Sequence, residues 1–121
     1  NYPWLINKGV VSKAELYRLI YHSKCLCVPL KFGSGTRIKI IEALSLGAIV
    51  VSSKKGIEGI KIKSSSPPFI VNDKKKLIKK ILEIIKNYKK FKKKSIKHKS
   101  YYLNKYSMKN IIKNFVYENK I

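Results

Sequence analysis

The sequence predicts an α/β fold, a parallel sheet with flanking helices followed by a helical C-terminal tail. Three observations carry this expectation. Short apolar runs alternate with helical patterns through the first half of the chain. The runs Cys25-Leu26-Cys27-Val28 and Ala48-Ile49-Val50-Val51 are apolar throughout, as strands covered on both faces are. The second half carries helical apolar stripes set among lysines.

The elements follow in order. Leu5-Ile6 and Val10-Val11 flank Gly9, as at the end of a short strand and its turn. Ser12-Lys13-Ala14-Glu15 is a capping box: the hydroxyl accepts from a free backbone N–H and the Glu reaches back. Leu16, Leu19 and Ile20 have helical spacing, which predicts a helix to about His22. Residues 25–28 form a buried strand bounded by Pro29, and residues 31–35 form a loop. A helix spans residues 36–46, with Gly47 placed to end it in a left-handed turn. Residues 48–51 are the next buried strand. A loop with Gly56 and Gly59 leads to the surface connection Ser64-Ser65-Ser66-Pro67-Pro68. Phe69-Ile70-Val71 is a short strand, and Asp73 caps the next helix. Leu77, Ile78, Ile81, Leu82, Ile84, Ile85 and Tyr88 give that helix a wide apolar face, expected to pack on the sheet. Lysines cluster on its other side. Residues 89–105 are Lys-rich with Phe91, Ile96 and several tyrosines interleaved. Ser107 caps a last helix to about Glu118, with Ile111, Ile112, Phe115 and Val116 as its stripe. Residues 1–88 are thus expected to form a partial sheet lobe, and residues 89–121 a helical segment of the same lobe.

Length and charge bound the function. The chain has 121 residues, 28 Lys plus Arg and 6 Asp plus Glu, for a net charge of +22. A polyanion is the first partner such an excess suggests, either nucleic acid or an anionic membrane. Only Arg18 and Arg37 are arginines, and the other 26 basic residues are lysines. Bidentate reading of bases and phosphates favours Arg, which disfavours nucleic acid. Lys, Ile, Asn and Tyr together make 60 of the 121 residues, and all have AT-rich codons. A mutational bias therefore raises Lys without any partner. No apolar run reaches the roughly 18–20 residues of a membrane span. The chain lacks a starting Met and a signal-peptide pattern. Its two cysteines, Cys25 and Cys27, exclude a disulfide scaffold and a four-Cys zinc site. They alternate with Leu26, so both are expected on one strand face as small core thiols. His22 ends a helix, His98 sits in the Lys-rich run, and Tyr2 and Trp4 are expected to pack.

The chemistry concentrates in residues 29–47, which read as strand end, Gly loop and helix. Ligands of open α/β sheets bind outside the carboxyl ends of the strands. Gly33 and Gly35 let backbone N–H groups approach an anion, and the helix amino end adds partial positive charge. Arg37 and Lys39 put formal positive charge in the first turn, which opposes the helix dipole unless an anion sits there. Glu42 has the chemistry to accept two hydroxyl hydrogen bonds from a sugar ring. The alternatives are an ordinary Gly loop, and a Glu42 that simply pairs with Lys39 or Arg37 on the helix surface.

Several motifs resemble one family. Lys39-Ile40-Ile41-Glu42-Ala43-Leu44-Ser45-Leu46-Gly47 with Ala48-Ile49-Val50-Val51 resembles the K-x-x-E-A-x-x-x-G-x-x-V-V phrase of the group 1 (family 4) glycosyltransferases. Gly33-Ser34-Gly35-Thr36-Arg37 resembles the loop of one branch, and Gly56-Ile57-Glu58-Gly59 its G-x-E-G loop. Gly9-Val10-Val11-Ser12 with Glu15-Leu16 resembles an upstream turn and helix. Order and spacing agree from about residue 5 to 85.

The resemblance implies a GT-B enzyme of two facing Rossmann-like lobes that transfers a sugar, with retention, from a nucleotide-sugar to a glycan or lipid-linked acceptor. It gives Glu42 the ribose hydroxyls, as the second Glu of an E-x7-E motif. The first Glu is replaced by Ser34, a departure shared by the branch with this loop. Backbone of Gly33, Ser34, Gly35 and Thr36, with Arg37 and Lys39, would serve the diphosphate. Val10 would lie near the base, and Glu58 is a further candidate on the donor side. The implied partners are the nucleotide-sugar donor, an N-terminal acceptor lobe missing from this chain, and an anionic membrane surface, with a cytoplasmic or peripheral location. No metal or cofactor is implied, and no catalytic residue is assigned. The chain alone, read as the C-terminal part of a donor lobe, is expected to be inactive. The alternatives are a nucleotide-sugar isomerase of the same fold, and a non-enzymatic basic module that binds polyanions.

Overall fold

The computed structural model describes residues 2–33, 37–62, 67–106, 108 and 112–113. Its elements are α1 (Lys13–His22), β1 (Leu26–Val28), α2 (Arg37–Ser45), β2 (Val50–Ser52), β3 (Phe69–Ile70), α3 (Lys74–Lys86) and α4 (Tyr88–Lys105). The strands form one parallel sheet in the order β1-β2-β3. Leu26 pairs with Val50, and Val51 with Phe69. This is the expected Rossmann-like arrangement, with β2 in the middle and helices around it.

Successive residues of a strand face opposite sides of a sheet, and β2 shows both sides covered. Val50 joins a cluster with Tyr17, Ile20, Ile40, Ala43 and Tyr102. Ile49 and Val51 join a second cluster with Ile84 and Phe91. Phe91 and Tyr102 both lie on α4, so this helix links the two faces. Phe91 meets Phe69 edge-on at 5.4 Å, and the Tyr102 hydroxyl donates to the Pro67 carbonyl at 3.2 Å.

Helix α2 ends as its glycine predicts. Gly47 has φ +76°. Ala48 N donates to Ala43 O at 2.9 Å and Gly47 N to Leu44 O at 3.1 Å, a Schellman pair. Lys92 of α4 adds its ammonium to the Gly47 carbonyl at 2.9 Å. Burial, with Lys99 nearby, lowers the Lys92 pKa. The Asp73 carboxylate caps α3 by accepting from Lys76 N at 2.9 Å.

Four expectations need correction. Leu5-Ile6 is not a strand: both residues are exposed, with no neighbouring strand to pair with among the described residues. Half of the capping box forms: the Ser12 hydroxyl accepts from Glu15 N at 3.1 Å. The Glu15 carboxylate turns instead to Arg18, receiving two bonds at 2.9 and 2.8 Å. A bidentate charged pair outcompetes a single reach back to a backbone N–H. Cys27 is exposed and Cys25 half-buried, because β1 is an edge strand and its Cys face is incompletely covered. Burial raises both thiol pKa values, and the neighbouring Cys27 adds to the rise at Cys25. Finally, the apolar face of α3 packs only in part. Ile84 is buried, while Ile78, Leu82 and Ile85 are 51%, 61% and 51% exposed. The last helix, residues 107–118, lies outside the described residues except for Met108, Ile112 and Lys113. Among the described residues no helix is long and apolar enough to cross a membrane.

The two sides of α3 differ in what they hold. Ile84→Ala is expected to cost about 2–5 kcal/mol, as a cavity in a packed cluster does. Leu82→Ala, two residues away, is expected to change stability by less than about 0.5 kcal/mol. Urea unfolding of both variants measures the contrast.

Candidate functional site

The carboxyl ends of the three strands open into a cleft of about 920 Å³. Pro29, Leu30 and Lys31 line it after β1, Ser53 to Lys55 after β2, and Val71 to Lys74 after β3. Ile57, Glu58 and Gly59 close it from the loop beyond β2. This is where an open parallel sheet presents its loops to a ligand.

Ser53 ties these ends together. Its hydroxyl donates to the Leu30 carbonyl and accepts from Gly56 N at 3.2 Å. Its own N–H donates to Val28 O at 3.1 Å. Lys54 N donates to the Asn72 side-chain oxygen at 2.9 Å, joining the ends of β2 and β3. The loop can turn this tightly because position 56 is glycine: a Cβ there would collide with Ser52 Oγ and stand 3.4 Å from Val28 O.

The charge around the cleft is positive. Lys31, Lys54, Lys55 and Lys74 line it against Glu58 and Asp73. Glu58 pairs with Lys55 at 3.1 Å, and Asp73 is spent on its helix cap. Clefts walled by one sign of charge concentrate counter-ions, so a dianion is the ligand class this one favours.

The predicted site residues are distributed as follows. Glu58 lines the cleft. Arg37, at the amino end of α2, lies against Gly59: a Cβ on Gly59 would stand 2.6 Å from its Nη1. Two motifs far apart in sequence are thereby brought together. Gly33 is exposed with φ +101°, at the mouth of the loop before α2. Ser34, Gly35 and Thr36 lie outside the described residues. Lys39 is exposed on α2 and does not line the cleft. Val10 is fully exposed beside the Gly9 turn, where Asn7 Oδ1 accepts from Gly9 N at 2.9 Å. Nothing in the geometry joins it to the cleft.

Glu42 is 3% exposed, on the face of α2 that meets α1, and it does not line the cleft. It takes no part in the ion pairs described, which join Glu15 to Arg18, Lys55 to Glu58 and Lys80 to Glu83. The surface-pair alternative for Glu42 is therefore not what the structure adopts. The Tyr17 hydroxyl stands beside it, and burial together with this carboxylate pushes the phenol well above its ordinary pKa. The second carboxylate oxygen, Oε2, is buried with no hydrogen-bond partner among the described residues. Orphaned buried oxygens are rare, and a charged one is expensive.

Sequence reading did not single out Ser53, Lys54 and Asn72. The signal for them was present: each follows a strand at the carboxyl end, where the fold presents ligand-binding loops. Among the described residues no group of three or more His, Cys, Asp or Glu is placed to hold a metal ion.

Comparison with known proteins adds one finding. The model of a family described as glycosyl transferases, group 1, matches residues 5–87. Neither the curated proteins nor the solved structures yield a significant match.

The two loop glycines should respond to substitution in different ways. Gly56→Ala meets packed neighbours and is expected to destabilise the chain by about 1–3 kcal/mol. Gly59→Ala is expected to cost about 1–2 kcal/mol for its φ of +84°, and also to displace the Arg37 side chain. Thermal unfolding measures both costs, and the Arg37 side-chain NMR signal reports the displacement.

Proposed function

Because the chain belongs to the group 1 glycosyltransferases, we propose that its cleft binds the nucleotide-sugar donor of a retaining sugar transfer to a glycan or lipid-linked acceptor. The observation that carries the proposal is the orphaned Oε2 of Glu42 on α2, the helix whose amino end meets the cleft loop through Arg37 and Gly59. A buried carboxylate oxygen with no hydrogen-bond partner among the described residues is costly in the free protein. Ribose offers two adjacent hydroxyl donors that would satisfy it. Donor binding then recovers free energy at the position where the family phrase K-x-x-E-A places its Glu.

The remaining groups take their roles from charge and position. The diphosphate lies toward the lysine-lined strand ends, where Arg37 and Lys54 offset its charge and the amino end of α2 adds its dipole. Arg37 also bridges to the Gly56–Gly59 loop through its contact with Gly59, so the seat responds as a unit when the diphosphate arrives. Ser53 and Asn72 act through the backbone they hold and keep the strand-end loops in one geometry. This set binds and orients a donor. The acceptor is held by an opposing lobe across the cleft, and the chain by itself does not turn over.

Titration calorimetry of the full chain with the diphosphates of uridine, guanosine and adenosine tests the proposal. At least one is expected to bind. Glu42→Gln keeps the shape and loses the charge, and should weaken that binding by about 1.5–3 kcal/mol. The same substitution should leave stability unchanged or higher, since it removes a buried charge. Binding of none of the three, or equal affinity in the variant, would sink the proposal.

A further inference from the structure

We propose that the outer face of α3 is a docking surface for an anionic phospholipid membrane, independent of the donor cleft. Ile78, Leu82 and Ile85 recur at the i, i+4, i+7 spacing of one helical face. They are 51%, 61% and 51% exposed, although Ile84 of the same helix is fully buried. The sheet therefore claims one half of the apolar face of α3 and leaves the other half to solvent. An exposed apolar stripe with charged flanks marks an interaction site.

The flanks decide which partner fits. Lys75, Lys79 and Lys86 lie along one border of the stripe, and Lys74 sits at its amino end. All four are exposed. The acidic residue of the helix, Glu83, is already paired with Lys80 at 3.2 Å. A second copy of the chain fits poorly, since each copy carries +22 and would oppose lysines to lysines. Nucleic acid uses the lysines but leaves three branched apolar side chains in water. An anionic bilayer accepts both parts: the aliphatic side chains enter the headgroup boundary while the lysines along the one border and at the amino end reach phosphate.

The described end of the chain does not cover this face. Met108 and Ile112 pack in the cluster with Tyr17 and Ile40, whereas Ile84 packs in the other cluster. The stripe is thus left open on the opposite side of the sheet from the described tail.

Vesicle co-sedimentation of the full chain tests the inference, with phosphatidylcholine vesicles made with and without phosphatidylglycerol. Binding is expected only with the anionic lipid. Replacing Lys75, Lys79 and Lys86 by Gln should weaken it roughly fivefold per lysine. Replacing Ile78, Leu82 and Ile85 by Ser should weaken it at least tenfold, with the circular dichroism spectrum unchanged. Leu82→Trp, in a Trp4→Phe background, should show a blue-shifted emission on the anionic vesicles. Nucleoside diphosphate affinity should be the same in all of these variants, so a failure here leaves the donor cleft untouched. Equal vesicle binding by the Ser variant, or no emission shift, would overturn the inference. So would self-association of the chain that the Ser variant abolishes, or duplex RNA binding that protects Leu82→Trp from quenching by iodide.

Discussion

The end of β2 is the constraint on which the rest of the structure depends. Val50, Val51 and Ser52 are all buried, with β1 on one side and β3 on the other. A fully covered central strand must surface at its carboxyl end, and it must satisfy its polar groups as it does so. Ser53 meets that demand. One hydroxyl holds the Leu30 carbonyl after β1 and the Gly56 amide in the following loop. Lys54 N reaches Asn72 after β3. The loops that make the cleft are therefore fixed by the same bonds that finish the sheet.

Helix α2, to which the proposed function assigns the donor contacts, is held from both ends. At its carboxyl end the Gly47 turn and the Lys92 ammonium set where it stops. At its amino end Arg37 rests on Gly59. Between them, Glu42 is turned inward toward Tyr17 rather than outward to solvent. Under the proposed function, that arrangement suits a group that meets a partner with hydroxyl donors. Buried polar groups without partners commonly mark the places where a fold gives up stability for function.

The sheet and the helix N-caps were legible in the sequence because local patterns decide them. Apolar runs between turn residues located β1, β2 and β3, and Ser12, Asp73 and Gly47 acted as their chemistry predicts. What failed depended on neighbours. Leu5-Ile6 has strand composition but no strand to pair with among the described residues, so periodicity alone misleads. Cys25 and Cys27 share a face as expected, but strand order, which sequence spacing does not report, puts β1 at the edge. The face of α3 was visible as apolar, while the division of that face between sheet and solvent was not. At the site, the motifs named Glu42, Arg37 and Glu58. Only the folded chain showed that Arg37 and Gly59 touch and that Glu42 is buried.

The central claim is that the strand-end cleft and α2 form one donor seat. Amide hydrogen exchange of the full chain, with and without a saturating nucleoside diphosphate, tests it most directly. The account predicts slowed exchange at residues 53–59 and in the first turns of α2 together, with α3 beyond its amino end unchanged. Protection confined to the lysines of α3 and α4, or at neither segment, would contradict it.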